Sequence, residues 1–158
     1  ISNQSQQHGE PVGDLMISHS KLQGTIISGA TVVRMIDEFP IFAVAAAAAI
    51  GKTEVREAIE LRHKESDRIA SLCRELSILG VDIQELPDGF IINGGKIVSG
   101  GIVEPHGDHR LAMSLAVAGQ MTQRPGTILG AQIIAESFPD FQESLSSLGS
   151  VFKYSDDE

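Results

Sequence analysis

The chain has 158 residues, enough for one sizeable core or two sub-layers, with 42% hydrophobic residues, 4% aromatics and no tryptophan. A net charge of -9 argues against a nucleic-acid binder, which carries a basic domain or stripe, but a local cluster of cations can still hold a small anion. The single cysteine, Cys73, excludes an internal disulfide framework and all-cysteine metal sites, and no apolar run reaches the ~18–20 residues of a membrane-spanning helix.

The opening "ISNQSQQHGEPVGD" reads as loose polar chain with no signal-peptide layout and no starting Met, which fits processing or a piece of a longer chain. "DLMISHS" (14–20) and "GTIISG" (24–29) read as short strands. Pro40 suits the first turn of a helix through "IFAVAAAAAI", ended by Gly51. "TEVREA" (53–58) alternates like a strand. Ile69, Leu72, Cys73, Leu76 and Leu79 recur at helical spacing up to Gly80, with Cys73 as a buried small hydrophobe in that stripe. "VDIQEL", "GFIIN" and "GGIVEP" are short strands between Gly, Pro and Asp turns. A second series follows: a helix over His109–Met121, a strand "GTILG", a helix over Phe138–Leu148 and a strand "VFKY", before a solvated acidic tail.

The two series align as copies of one unit, about 12–80 and 81–154. "RIASLCRELSILG" matches "SFPDFQESLSSLG" at one constant offset, pairing Ile69 with Phe138, Leu72 with Phe141, Leu76 with Leu145 and Gly80 with Gly149. Asp37 and Asp108 each precede an Ala-rich helix. Each unit then reads as strand–helix–strand–helix–strands, an α/β arrangement.

Three charged clusters stand at helix starts. Asp37 and Glu38 precede the Pro40 helix, where acids favour the dipole and cap free N–H groups. In "RHKESDR" (62–68), Ser66 or Asp67 is a candidate cap, but Lys64 and Arg68 face the helix dipole with the wrong sign, at ~0.3–1 kcal/mol. Pairing of Arg68 with Glu65 or Asp67 offsets that in a solvated charged turn; the functional alternative is an anion site in which Arg, Lys and helix N–H groups converge. In "HGDHRLAM", Asp108 is a candidate N-cap, which again puts His109 and Arg110 in the first turn. One anion shared by Arg68 and Arg110 explains both wrong-sign arginines together. His106 and His109 lack the partner spacing of a metal site, and no metal is expected.

On "MIDEFPIFAVAAA" (35–47), "LRHKESDRI" (61–69), "GDHRLAM" (107–113) and "SFPDF" (137–141), the sequence resembles the C-terminal part of the 5-enolpyruvylshikimate-3-phosphate synthase family. The motifs stand in the family's order and cover most of residues 10–149. The resemblance implies an inside-out α/β repeat fold and transfer of the enolpyruvyl group of phosphoenolpyruvate to the 5-hydroxyl of shikimate 3-phosphate, releasing phosphate. It implies no organic cofactor and no metal, a cytoplasmic monomer at full length, and neither nucleic acid nor membrane as partner. Carried over by motif, Asp37 contacts the shikimate hydroxyls and is a candidate base. Lys64 binds shikimate 3-phosphate and assists proton transfer, and Glu65 serves proton transfer at the methylene carbon. Arg68 and Arg110 grip phosphoenolpyruvate, with His109 beside them.

Two positions depart from the family pattern: Glu136 stands where many members have a lysine, and Glu60 where many have asparagine. The family enzyme has two globes of three repeats each, so this chain is expected to hold about two repeats of the second globe, to need the N-terminal domain of the same enzyme, and to be inactive alone. Two alternatives are a related enolpyruvyl transferase acting on a UDP-sugar and a non-catalytic repeat module that binds anions or a partner.

Overall fold

The computed structural model describes residues 1–95 and 99–153. The chain opens with an antiparallel hairpin of β1 (Ser2–Gln7) and β2 (Glu10–Asp14), solvent-exposed along both strands. A loose start was the expectation; the turn at His8 and Gly9, both at positive φ, closes a hairpin instead. The expected strand at 14–20 is not formed. Only Asp14 belongs to a strand, and Leu15, Met16 and Ile17 stand exposed with no pairing partner among the described residues.

The central sheet has the order β3-β4-β6-β5, with β3 (Ile26–Ile27), β4 (Gly51–Val55), β5 (Asp82–Leu86) and β6 (Gly89–Gly94). β3 runs parallel to β4, and β6 pairs antiparallel with both β4 and β5. Alternation does what the sequence pattern implied: Thr53 and Val55 on β4, and Phe90 and Ile92 on β6, turn inward. β4 stops at Val55, short of the expected Ala58, because Glu57 takes φ 60 and its N–H turns to the Asp88 carboxylate.

Between β3 and β4 lie α1 (Ala30–Arg34) and α2 (Phe39–Ala48), and after β4 a 3-10 segment (Ile59–His63) leads to α3 (Arg68–Ile78). A second parallel pair, β7 (Ile102–Val103) and β8 (Thr127–Ile128), flanks α4 (His109–Gly119). A 3-10 segment (Ala131–Glu136) and α5 (Phe141–Ser147) follow. The β–α–β–α–β–β order is complete from β3 to β6, so the strands at 82–94 close the first sheet rather than opening a second. From β7 to α5 the same order recurs without final strands among the described residues. Residues 151–153 of the expected strand "VFKY" carry none, and Tyr154 and the acidic tail lie outside the described residues.

The core joins α2, α3 and α4 to the inner sheet face, with Phe39 edge-on to both Phe42 and Phe90. α2 is alanine-rich, so α4 and β6 approach it closely. At Gly94 a Cβ would stand 2.2 Å from the Ala49 carbonyl oxygen, so only glycine lets β6 pass the end of α2. The aligned helices α3 and α5 differ in setting. α3 buries six residues, whereas α5 starts at Phe141, not Phe138, and buries none.

Candidate functional site

The starts of α2, α3 and α4 meet at one guanidinium. The Asp67 side chain accepts the Ala70 N–H at 3.0 Å and caps α3, which sets Arg68 at its first position. Arg68 is only 2% exposed. Its Nε donates to Asp108 Oδ2 at 2.6 Å, Nη1 to Asp37 Oδ1 at 3.1 Å and Nη2 to Glu65 Oε2 at 2.7 Å. Asp108 is fully buried, and its other oxygen accepts the Arg110 and Leu111 N–H groups, capping α4. The chain enters that cap through His106 and Gly107, both in the left-handed region at φ 51 and 77.

Arg110 reaches the same place from α4. Its Nη2 lies 3.5 Å from Asp37 Oδ2 and its Nη1 4.0 Å from Glu38 Oε1. The anion that Arg68 and Arg110 share here is therefore the Asp37 carboxylate. Asp37 and Glu38 do not cap α2, whose N-cap Glu38 makes no side-chain cap bond. The pairing partner of Arg68 in its own turn is Glu65, while Asp67 is taken by Arg62. The Arg68 hydrogen bond, helped by the Arg110 charge against partial burial, holds the Asp37 carboxyl below its ordinary range. Burial opposes the charge on Arg68, but its bonds to Asp108 and Asp37 outweigh that and keep it protonated.

The structure thus brings together Asp37, Glu65, Arg68 and Arg110. Lys64 is exposed at the end of the 3-10 segment, and its charge acts on Asp37. Lys64 and His109 make no ion pair within 4.0 Å among the described residues. His109 opens α4, half-buried, beside Asp108. His106 has another partner: its Nε2 lies 2.7 Å from Oε1 of Glu75, a buried α3 carboxylate that also accepts the Glu104 N–H. A cavity of about 330 Å³ opens beyond this turn, with Glu104, His106 and Gly107 on one side and Gln132, Ile133 and Glu136 on the other.

Sequence reasoning treated Asp108 as a cap only. Its second role, the buried partner of Arg68, joins residues 40 apart and leaves no local trace. A signal was present in the two wrong-sign arginines, which required carboxylates from somewhere. Glu75 was missed altogether; a charged residue inside the apolar stripe of α3 was the clue.

The arrangement of acids and arginines around Arg68 uses all four motif stretches except 137–141. The family model for EPSP synthase (3-phosphoshikimate 1-carboxyvinyltransferase) matches residues 7–145. The chain belongs to the EPSP synthase family. It is 48% identical over 148 residues to a 3-phosphoshikimate 1-carboxyvinyltransferase of Desulforudis audaxviator, covering 94% of this chain and 34% of that protein. The corresponding enzyme of Carboxydothermus hydrogenoformans is 50% identical over 148 residues, at 94% and 35% coverage. An EPSP synthase structure from Acinetobacter baumannii superposes with a TM-score of 0.90 at 40% identity, covering 98% of this chain and 36% of that one. A second structure from the same organism gives 0.88 at 43% identity, over 92% and 35%. The α/β fold is therefore that of EPSP synthase. The chain spans about a third of the length of the curated relatives it matches.

Proposed function

We propose that this chain carries one wall of the cleft in which an EPSP synthase transfers the enolpyruvyl group of phosphoenolpyruvate to the 5-hydroxyl of shikimate 3-phosphate. The observation that carries the reading is the convergence of Arg68 and Arg110 on one carboxylate, beside Glu65 and within electrostatic reach of Lys64. Two guanidinium groups over three helix N-termini favour a dianion more strongly than either alone. An arriving phosphate takes over bonds that Asp37 now makes, which returns Asp37 toward its ordinary basicity.

The chemistry demands the groups present. The 5-hydroxyl must lose a proton as its oxygen bonds to the enol carbon, and the methylene carbon must gain one. Because the product carries a vinyl group again, that carbon must give a proton back as phosphate leaves. Asp37, Lys64 and Glu65 divide these transfers, while Arg68 and Arg110, with His109 beside them, hold the phosphate and carboxylate. The family relationship supports aromatic amino acid biosynthesis as the setting, in the cytoplasm, with the rest of a longer polypeptide as the opposite wall.

Titration of phosphoenolpyruvate into the isotope-labelled chain tests the site by side-chain Nε–H signals. Shifts at Arg68 and Arg110 are expected, and Arg110→Ala should abolish binding without unfolding the chain. Unchanged binding in that variant overturns the assignment. Supplied with both substrates, the chain alone should release no phosphate; steady turnover by it overturns the one-wall reading.

A further inference from the structure

Arg62 belongs to the same cationic run as Lys64 and Arg68, yet none of its partners is an acid that holds Arg68 at the helix starts. Its Nε donates to the Pro87 carbonyl at 2.8 Å and its Nη1 to Asp67 Oδ2 at 2.8 Å. Its Nη2 donates to Glu85 Oε1 at 2.8 Å and to the Leu86 carbonyl at 2.7 Å. Three of these acceptors lie at the β5–β6 turn and the fourth is the cap of α3. The bond to Glu85, then that to Asp67, raises the guanidinium above its ordinary value, so it stays charged.

Lys64 and Glu65 hang between the two ends of this clamp. On one side Leu61 is buried at 1% exposure beside Arg62; on the other, Asp67 starts α3. The turn between them makes few bonds of its own: Glu65 bonds Arg68, and the buried Ser66 hydroxyl has no hydrogen-bond partner among the described residues. A segment so poorly tied within itself needs its ends held. A planar guanidinium serves four acceptors in fixed directions, which the single ammonium of a lysine does not.

We propose that Arg62 is a positioning residue for the anion site, clamping the 63–66 turn between the β5–β6 hairpin and the start of α3 so that Glu65 meets Arg68 and Lys64 stays within electrostatic reach of Asp37. The inference rests on the anion-site reading above, and its two halves separate in the test. Backbone order at Lys64 and Glu65, from 15N heteronuclear NOE values without ligand, reports the clamp. Affinity for inorganic phosphate, read at the Arg68 Nε–H, reports the site.

Arg62→Lys and Arg62→Gln should both lower the NOE values at 63–66 while leaving those of α3 unchanged, and both should weaken phosphate binding ~10-fold or more, the equivalent of one charge-assisted bond. Failure of lysine to rescue is the key outcome, because a purely electrostatic or tethering role for Arg62 is one that lysine fills. Unchanged order at Lys64 and Glu65, or wild-type phosphate affinity in Arg62→Lys, overturns the proposal. If the wild-type chain binds no phosphate, the anion-site reading falls and this proposal with it, whatever the NOE values show. Glu85→Gln weakens one acceptor only and should change both readouts in the same direction by less. It keeps the test readable if Arg62→Gln does not fold, and no change in it also counts against the clamp.

Discussion

Replacing Asp108 with asparagine removes one negative charge from a fully buried position while keeping the side-chain shape and an oxygen that can still cap α4. What is lost is the 2.6 Å bond to the Arg68 Nε, and with it the only wholly buried counter-charge, among the described residues, of a guanidinium that is itself 2% exposed. Breaking a buried pair by removing one partner costs ~3–5 kcal/mol. Arg68 keeps two other acceptors, Asp37 and Glu65, whose side chains are 44% and 46% exposed, so the loss falls at or just below the low end of that range. We expect Asp108→Asn to lower unfolding stability by about 2–3 kcal/mol, a large part of the 5–15 kcal/mol available to a small domain. Asp108→Ala also loses the cap and should cost roughly 1 kcal/mol more. Urea unfolding followed by circular dichroism measures both, with an unchanged m-value as the check that the end states are the same. In a cycle with Arg68→Leu, the double variant should cost less than the sum of the singles, because the second change removes the charge that the first left stranded. A loss below about 1 kcal/mol for Asp108→Asn, or additivity in the cycle, refutes the claim that this pair ties the helix starts together.

Asp37 gives a pH prediction. Its folded pKa lies below the ordinary 3.8, so its contribution is whole above that value and disappears as pH falls through the lowered one. Asp88 moves in the same direction, chiefly through the Glu57 N–H, so the Asp37 share is the part of the acid-limb slope missing in Asp37→Asn; an identical slope in that variant contradicts the pairing. Burial pushes the Cys73 thiol up to about 12, so Ellman's reagent should leave it unmodified at neutral pH until the chain is unfolded, and rapid labelling of the native protein contradicts its place in the core. Glu75→Ala strands the Glu104 N–H and frees His106, and should cost about 1–3 kcal/mol with faster amide exchange confined to residues near 104–108. Exchange that rises evenly through α3 instead points to general loosening.

Much of this molecule was legible because its signals are local. The stripe Ile69, Leu72, Cys73, Leu76 gave α3, Pro40 gave the start of α2, and Asp67 and Asp108 cap the helices whose starts they mark. Where the reading failed, the deciding interactions lie far apart in sequence. Leu15, Met16 and Ile17 form an apolar run of strand length but pair with no strand among the described residues, and no local pattern reveals a missing partner. Phe138 matches Ile69 in the repeat alignment yet is 42% exposed where Ile69 is fully buried, because equal spacing does not guarantee an equal surface to pack against. The sequence reading expected Arg68 and Arg110 to share a bound anion; that the Asp37 carboxylate, 31 positions from Arg68, stands between the two guanidinium groups was not foreseen.

The long reach of those bonds bears on when the site comes into being as the chain folds. Arg68 meets partners 31 and 40 positions away, so the cluster cannot exist in a chain whose helices have formed but not yet docked. A compact acid state with loosened packing would keep its helical circular dichroism and still lack the cluster proposed above to hold a dianion. Conversely, a ligand that recognises Arg68 and Arg110 in place binds only the docked state, and by mass action its concentration sets how much of the chain is found there.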